Sequence, residues 1–198
     1  MISAYGQIPA SFPVPVSGIS FSGLPGPNLA PYMGSIEGNF AVTPTAGTWL
    51  QATFYGNPTP SIVDGPIMGP GIGVIQITAS SGLFTLAGFD FSSNNGDSTY
   101  DIQGILGSTM AYHETGTLPG TFGPFSFSTL LTAYASVPID GLFIGIIPGP
   151  DTTSINLDNI EVATATASVP DPLGPLFSLL FLGSGLTGLI YFRTRNAI

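Results

Sequence analysis

The sequence predicts an all-β fold, an antiparallel β-sandwich followed by a single apolar transmembrane helix at the C-terminus. Three observations predict it. About ten short runs of β-branched and aromatic residues are punctuated by Gly, Pro and Asn about every 8–12 residues, the rhythm of a sandwich or jelly roll. None of those runs has helical periodicity. Residues 173–192 carry no charge at all and, wound as a helix, are long enough to cross a bilayer core.

Residues 1–30 are dense in Pro, Gly and Ser and read as a loop-rich stretch with one short apolar piece, Gly18-Ile-Ser-Phe-Ser22. Strand-like runs follow at 39–43, 48–55 and 73–78, separated by turn chemistry at Gly56-Asn-Pro58 and Gly69-Pro-Gly71. The clearest local signal is the run 83–91, then Ser92-Ser-Asn-Asn-Gly-Asp-Ser98, then the run 99–106. Asn95-Gly96 supplies the positive φ of a tight turn, and Tyr100, Ile102 and Leu106 keep a two-residue alternation, so this piece reads as a hairpin. Further runs lie at 109–115, 121–128, 139–147 and 154–163, closing a sandwich domain over residues 1–163. Small residues open a linker over 164–172, and the tail occupies 173–198.

Charge excludes one large class of partner. The eleven acids are spread from Glu37 to Asp171, whereas the two strong bases, Arg193 and Arg195, sit at the very end and lysine is absent. Nucleic-acid affinity comes mostly from Lys and Arg on phosphates, so nucleic acid is excluded as a ligand. The absence of cysteine removes disulfides, thiolate nucleophiles and Cys-ligated metals together. The first residues, Met1-Ile-Ser-Ala-Tyr-Gly-Gln-Ile-Pro9, have neither a positive n-region nor an apolar run and are not a secretory signal. The expectation is therefore a chain that begins short of its natural start, or a protein that is never exported.

The C-terminal order is Val169-Pro170-Asp171-Pro172, the apolar stretch from Leu173 to Phe192, then Arg193-Thr-Arg195. This order resembles the PEP-CTERM sorting signal of Gram-negative bacteria that make exopolysaccharide, with Asp171 where that family has Glu and two arginines in place of a longer basic run. The resemblance implies recognition near Pro170, Asp171 and Pro172 by an exosortase, a membrane-embedded cysteine protease. It also implies a cell-envelope or extracellular location, with membrane anchoring before processing. By the positive-inside rule, Arg193 and Arg195 stay cytoplasmic and residues 1–172 lie outside. As a buried helix of a soluble fold, the same twenty residues would need apolar cover all round from a small β domain.

Within the body, Pro31-Tyr32, Glu37, Gly38, Phe40, Trp49, Gly56-Asn-Pro58 and Ser61-Ile62, then Phe84–Phe91, Tyr100-Asp-Ile-Gln-Gly104, Ile139-Asp140 and Leu157-Asp158-Asn159-Ile160, resemble in their order the pattern of domains often found upstream of PEP-CTERM tails. Residues 31–163 thereby resemble carbohydrate-binding jelly rolls. Two functional readings follow: a non-catalytic structural or interaction domain, or a module that binds a glycan of the polysaccharide matrix. Asp158 resembles the aspartate of a structural calcium site in some jelly-roll carbohydrate-binding modules; calcium needs several hard oxygen ligands, and on that reading Glu37 with nearby backbone carbonyls would supply the rest, while a turn-forming role for Asp158 is the plainer alternative.

Catalytic alternatives are thin. His113 is the chain's single imidazole, lies inside a strand-like run and has no Gly-x-Ser-x-Gly elbow to serve. Asp90, Asp97 and Asp101 surround the 83–106 hairpin and read as turn and solvation residues rather than a glycosidase pair. Gly69-Pro-Gly71-Ile-Gly73 leads into a strand and cannot cradle a phosphate. Tyr55, Tyr100, Tyr112, Tyr134 and Trp49 have the rings to stack on a sugar, but core burial is the expected fate of Trp49 and of most of the others.

Overall fold

The computed structural model describes residues 16–65, 71–121 and 126–165, all of them within the compact unit Met1–Thr166. Among the described residues the chain forms β1 (Val16–Ile19), β2 (Ser35–Glu37), β3 (Phe40–Ala46), β4 (Leu50–Ala52), β5 (Ser61–Asp64), β6 (Gly73–Ala79) and β7 (Leu83–Asn94). It continues with β8 (Ser98–Leu106), β9 (Thr109–Leu118), β10 (Gly120–Thr121), β11 (Ser128–Leu131), β12 (Gly141–Pro148) and β13 (Ser154–Ala165). They make two sheets. One, of six strands, is ordered β2-β3-β6-β12-β8-β9; the other, of seven, runs β10-β7-β13-β5-β4 with β1 added on β13 and β11 on β7. The sandwich expected from the turn spacing is therefore present. Among the described residues no helix is long and apolar enough to cross a membrane, and residues 173–192 lie outside them.

The two inner faces meet in one apolar core. Phe40, Val42, Ile75, Ile77, Leu142, Ile144, Ile146 and Ile102 come from the six-stranded sheet, and Ile62, Phe84, Leu86, Phe89, Phe91, Ile155, Leu157, Ile160 and Val162 from its partner. Burying side chains of this size contributes about 1.5–3 kcal/mol each relative to exposure. Trp49 joins them at 3% exposure and donates its indole N–H to the Ala46 carbonyl at 3.0 Å, as its core assignment requires. Two tyrosines replace missing side chains across strands. Tyr112 is paired with Gly104 and Tyr100 with Gly116, and a Cβ on Gly104 would lie 2.2 Å from the Tyr112 ring.

The hairpin expected over 83–106 is not one. Asn95 does adopt φ 71°, but β7 and β8 belong to different sheets, so the turn carries the chain across the sandwich. The reason lies in the outer face of β7. Asp90, Ser92 and Asn94 stand opposite Asp158, Asn156 and Ser154 of β13, and this buried polar row is satisfied internally: Asn94 Nδ2 donates to Ser154 Oγ and Asn156 Oδ1, and Asn156 Nδ2 donates to Ser61 Oγ. A run of apolar residues at 83–91 cannot announce that its polar extension pairs with a strand sixty residues away. Other bounds move as well. The run expected over 121–128 divides into β10 and β11, and β5 forms where only the Ser61-Ile62 motif had been singled out.

Candidate functional site

The chain presents an open site on the outer face of the six-stranded sheet, and β12 builds it. Gly141-Leu-Phe-Ile-Gly-Ile-Ile147 alternates so that Leu142, Ile144 and Ile146 enter the core, which sends Phe143, Gly145 and Ile147 to the other face. Phe143 stands directly across from Gln76 on β6 and Gln103 on β8; Gln103 in turn faces His113 on β9, and Gln76 faces Thr43 on β3. One row thus reads Thr43, Gln76, Phe143, Gln103, His113. The adjacent row reads Val74, Gly145, Asp101, Thr115.

Gly145 has no side chain, so a slot of about 260 Å³ opens above it, lined by Ile72, Val74, Asp101, Gln103, Phe143 and Ile147. Nothing in the fold demands glycine there. Its φ lies outside the left-handed region, and an added Cβ would meet Asp101 O at 3.4 Å and Val74 Cγ2 at 3.8 Å, ordinary contact distances. The slot is a place left empty by a residue that the backbone would allow to be larger.

Asp101 is the slot's one carboxylate. Its Oδ2 lies 3.0 Å from His113 Nε2, and its Oδ1 accepts from Gln103 Nε2 at 2.8 Å. Partial burial acts to raise its pKa, but the hydrogen bonds from His113 and Gln103 and the neighbouring imidazole charge outweigh it and hold the group below the ordinary carboxylate value. Each oxygen keeps a further lone pair for an incoming donor. His113 pairs with this aspartate rather than with a nucleophilic hydroxyl, and both side chains are well exposed, at 46% and 37%.

The acids expected around one hairpin are dispersed. Asp101 is in the slot, Asp97 accepts the Gly120 N–H at 2.6 Å, and Asp90 lies in the other sheet, directly across from Asp158. Asp158 is fully buried. Its Oδ2 accepts the Asn57 N–H at 2.6 Å and its Oδ1 the Asn159 N–H at 2.8 Å. Asp90 Oδ2 accepts both the Asn57 and Asn159 side-chain amides, at 3.1 and 2.9 Å, and Asp90 Oδ1 accepts the Thr129 hydroxyl. Burial pushes the Asp158 carboxyl up to about 7, against the two N–H donors, with Asp90 and Glu37 adding like charge.

Glu37 has separate partners. Its Oε2 accepts the Ser20 N–H at 2.8 Å, while Oε1 is buried without a hydrogen-bond partner beside a groove lined by Ser17, Gly38, Asn39 and Thr164. A cation would satisfy that orphaned oxygen. Among the described residues no three acidic or histidine side chains converge on one point, so calcium held by Glu37 and Asp158 would draw its remaining ligands from backbone carbonyls.

Of the aromatic candidates, Tyr100 and Tyr112 are buried, and Tyr134 stacks on Tyr112 with ring centroids 4.6 Å apart. None of them lines the slot. Phe143 and Gly145 were not legible in advance, because an unbroken apolar run conceals which of its residues face outward. Pro170, Asp171, Pro172, Leu173, Phe192, Arg193 and Arg195 lie outside the described residues.

No protein-family model matches the chain, and no curated protein matches it in sequence. Solved structures match it by structure. It is similar to a family 29 carbohydrate-binding module from Piromyces equi, at 11% identity over 80% of this chain and 96% of that one, with a TM-score of 0.48. It is similar to the K3 cleaved adhesin domain of Lys-gingipain from Porphyromonas gingivalis w83, at 12% identity over 75% and 98% of the two chains, TM-score 0.48. The family 32 module of C. perfringens NanJ, solved in complex with galactose, matches at 13% identity over 60% and 93%, TM-score 0.43.

Proposed function

We propose that the domain is a non-catalytic glycan-binding module of jelly-roll type, exported and sorted to the cell envelope by its C-terminal signal. The observation that carries the binding reading is the slot over Gly145. A pyranose ring has an apolar C–H face and a rim of hydroxyls; Phe143 offers the first an aromatic surface, and Asp101, Gln103 and Gln76 offer the second acceptors and donors. The pocket is open to solvent, which suits a chain passing across it. Hydrolysis of a glycosidic bond needs two carboxyls flanking the scissile oxygen, and the slot lining contains one.

The binding test uses Phe143→Ala and Gly145→Leu, titrated calorimetrically against polysaccharides of the source organism. Wild type should bind saturably and both variants should lose at least tenfold in affinity while melting within a few degrees of wild type. Absence of saturable binding by wild type would leave a structural sandwich.

Sorting is supported by the uncharged stretch 173–192 and the two arginines that follow it. With a functional signal peptide supplied, the full chain should enter the membrane fraction, and deletion of residues 173–198 should release it; equal solubility of the two forms refutes this part.

A further inference from the structure

The walls of the slot are unlike one another, and the difference points to the kind of sugar it takes. On the β8 side stand Asp101 and Gln103, already joined to each other and to His113. On the β6 side stand Val74 and Ile72, and Ile147 closes the end of the slot beyond Gly145. Ile72 is 47% exposed and Ile147 42% exposed, so two isoleucines offer their methyl groups to whatever lies over the glycine. Side chains two apart on a strand are about 7 Å from one another, and neighbouring strands about 4.8 Å, so Phe143, Ile147, Val74 and Asp101 frame a space the width of a single ring.

Resting on the glycan-binding reading above, we infer that the slot selects an uncharged sugar bearing a methyl group, which it seats against Ile72, Val74 and Ile147 while the ring hydroxyls meet Asp101 and Gln103. The side chains of the aliphatic wall have no polar atom for a hydroxyl. A hydroxymethyl group turned toward it would give up water without a replacement hydrogen bond, whereas a methyl group there buries apolar surface on both partners. An acidic sugar is disfavoured independently. No Lys or Arg occurs in residues 1–192, and the one nearby group able to carry positive charge, His113, is already paired with Asp101. The methyl can come from a 6-deoxyhexose or from an N-acetyl group, and the two sources are separable by experiment.

The test titrates the full chain in mild detergent with five probes, using ligand-observed NMR. D-Fucose and D-galactose differ by one hydroxyl at carbon 6, and only the first carries a methyl group. N-acetylglucosamine and glucose form the second pair, and galacturonic acid is the acidic probe. In at least one pair the methyl-bearing sugar should bind about tenfold more tightly than its partner, with magnetisation transfer strongest at its methyl protons. The acid should bind most weakly of all. Ile147→Thr, a half-exposed position that leaves the core intact, should erase the discrimination while retaining residual binding of the hexose. Equal affinities within both pairs, still abolished by Phe143→Ala, would overturn the methyl preference and leave the glycan site standing. Binding of no probe, or binding indifferent to Phe143→Ala, would overturn both.

Discussion

Asp158 should make this domain less stable as the pH rises from about 4 to about 7, and Asp158→Asn should remove that loss. The carboxyl is fully buried on β13, and burial lifts its pKa from 3.8 to about 7. An acid whose pKa is higher folded than unfolded binds its proton more tightly in the folded state. Its contribution is therefore complete below pH 3.8, declines as pH climbs between the two values, and is gone above about 7. At 1.36 kcal/mol per pH unit, the gap between 3.8 and about 7 corresponds to about 4 kcal/mol. The amide variant cannot ionise, but it keeps one oxygen for the two N–H groups of Asn57 and Asn159 and sets its own NH₂ against the other donor, a penalty of about 1–3 kcal/mol. The net expectation at pH 8 is a variant more stable than wild type by about 1–3 kcal/mol, and at pH 4 one that is less stable. Urea unfolding of both proteins at pH 4, 5, 6, 7 and 8 in chelator reads the difference directly, because titrating groups remote from Asp158 cancel. A difference that stays flat across that range, or a variant weaker than wild type at pH 8, would refute the assignment of a costly buried charge.

If calcium is held by Glu37 and Asp158, saturation at about 100 times the dissociation constant should add about 2.7 kcal/mol and raise the melting midpoint by several degrees over chelator. Glu37→Gln should then abolish the shift, and identical melting in calcium and chelator would leave Asp158 as the residue that ties the loop at Asn57 to the sheet. Gly104→Ala should cost about 1–3 kcal/mol in urea unfolding, since its Cβ would lie 2.2 Å from the Tyr112 ring. Gly141→Ala is its control: there a Cβ meets only Ile105 Cβ, at 3.6 Å, and unfolding should move far less. Asn57→Ala removes the side-chain bond to Asp90 but keeps the backbone N–H on Asp158, so a loss of about 1 kcal/mol is expected, with the pH profile of Asp158 preserved.

Much of the strand content was legible because a period of two and Gly-Pro punctuation are local properties. The runs at 73–78, 99–106, 109–115 and 154–163 correspond to β6, β8, β9 and β13, with ends moved by a few residues. Tyr100 and Ile102 face the core as their alternation indicates, and Trp49 is buried as its size and composition context suggest. The N-terminal stretch was harder. Glu37 and Ser20 meet only because β1 lies along β13 and β2 along β3, pairings that no feature of residues 16–37 announces.

By itself, the sequence determined an all-β body, the absence of Lys and Arg from residues 1–192, and an apolar C-terminal stretch of bilayer length. These depend on composition and on neighbours in the chain. Only the tertiary structure decided that Asn95 leads across the sandwich instead of around a hairpin, that Asp90 faces Asp158, and that Phe143 looks outward between Gln76 and Gln103 and Gly145 between Val74 and Asp101. Strand periodicity divides residues between two faces but names neither the face that is buried nor the strand alongside. Both are settled when the two sheets close on a common core, and the slot over Gly145 comes into being at that moment, from residues as far apart as Ile72 and Ile147.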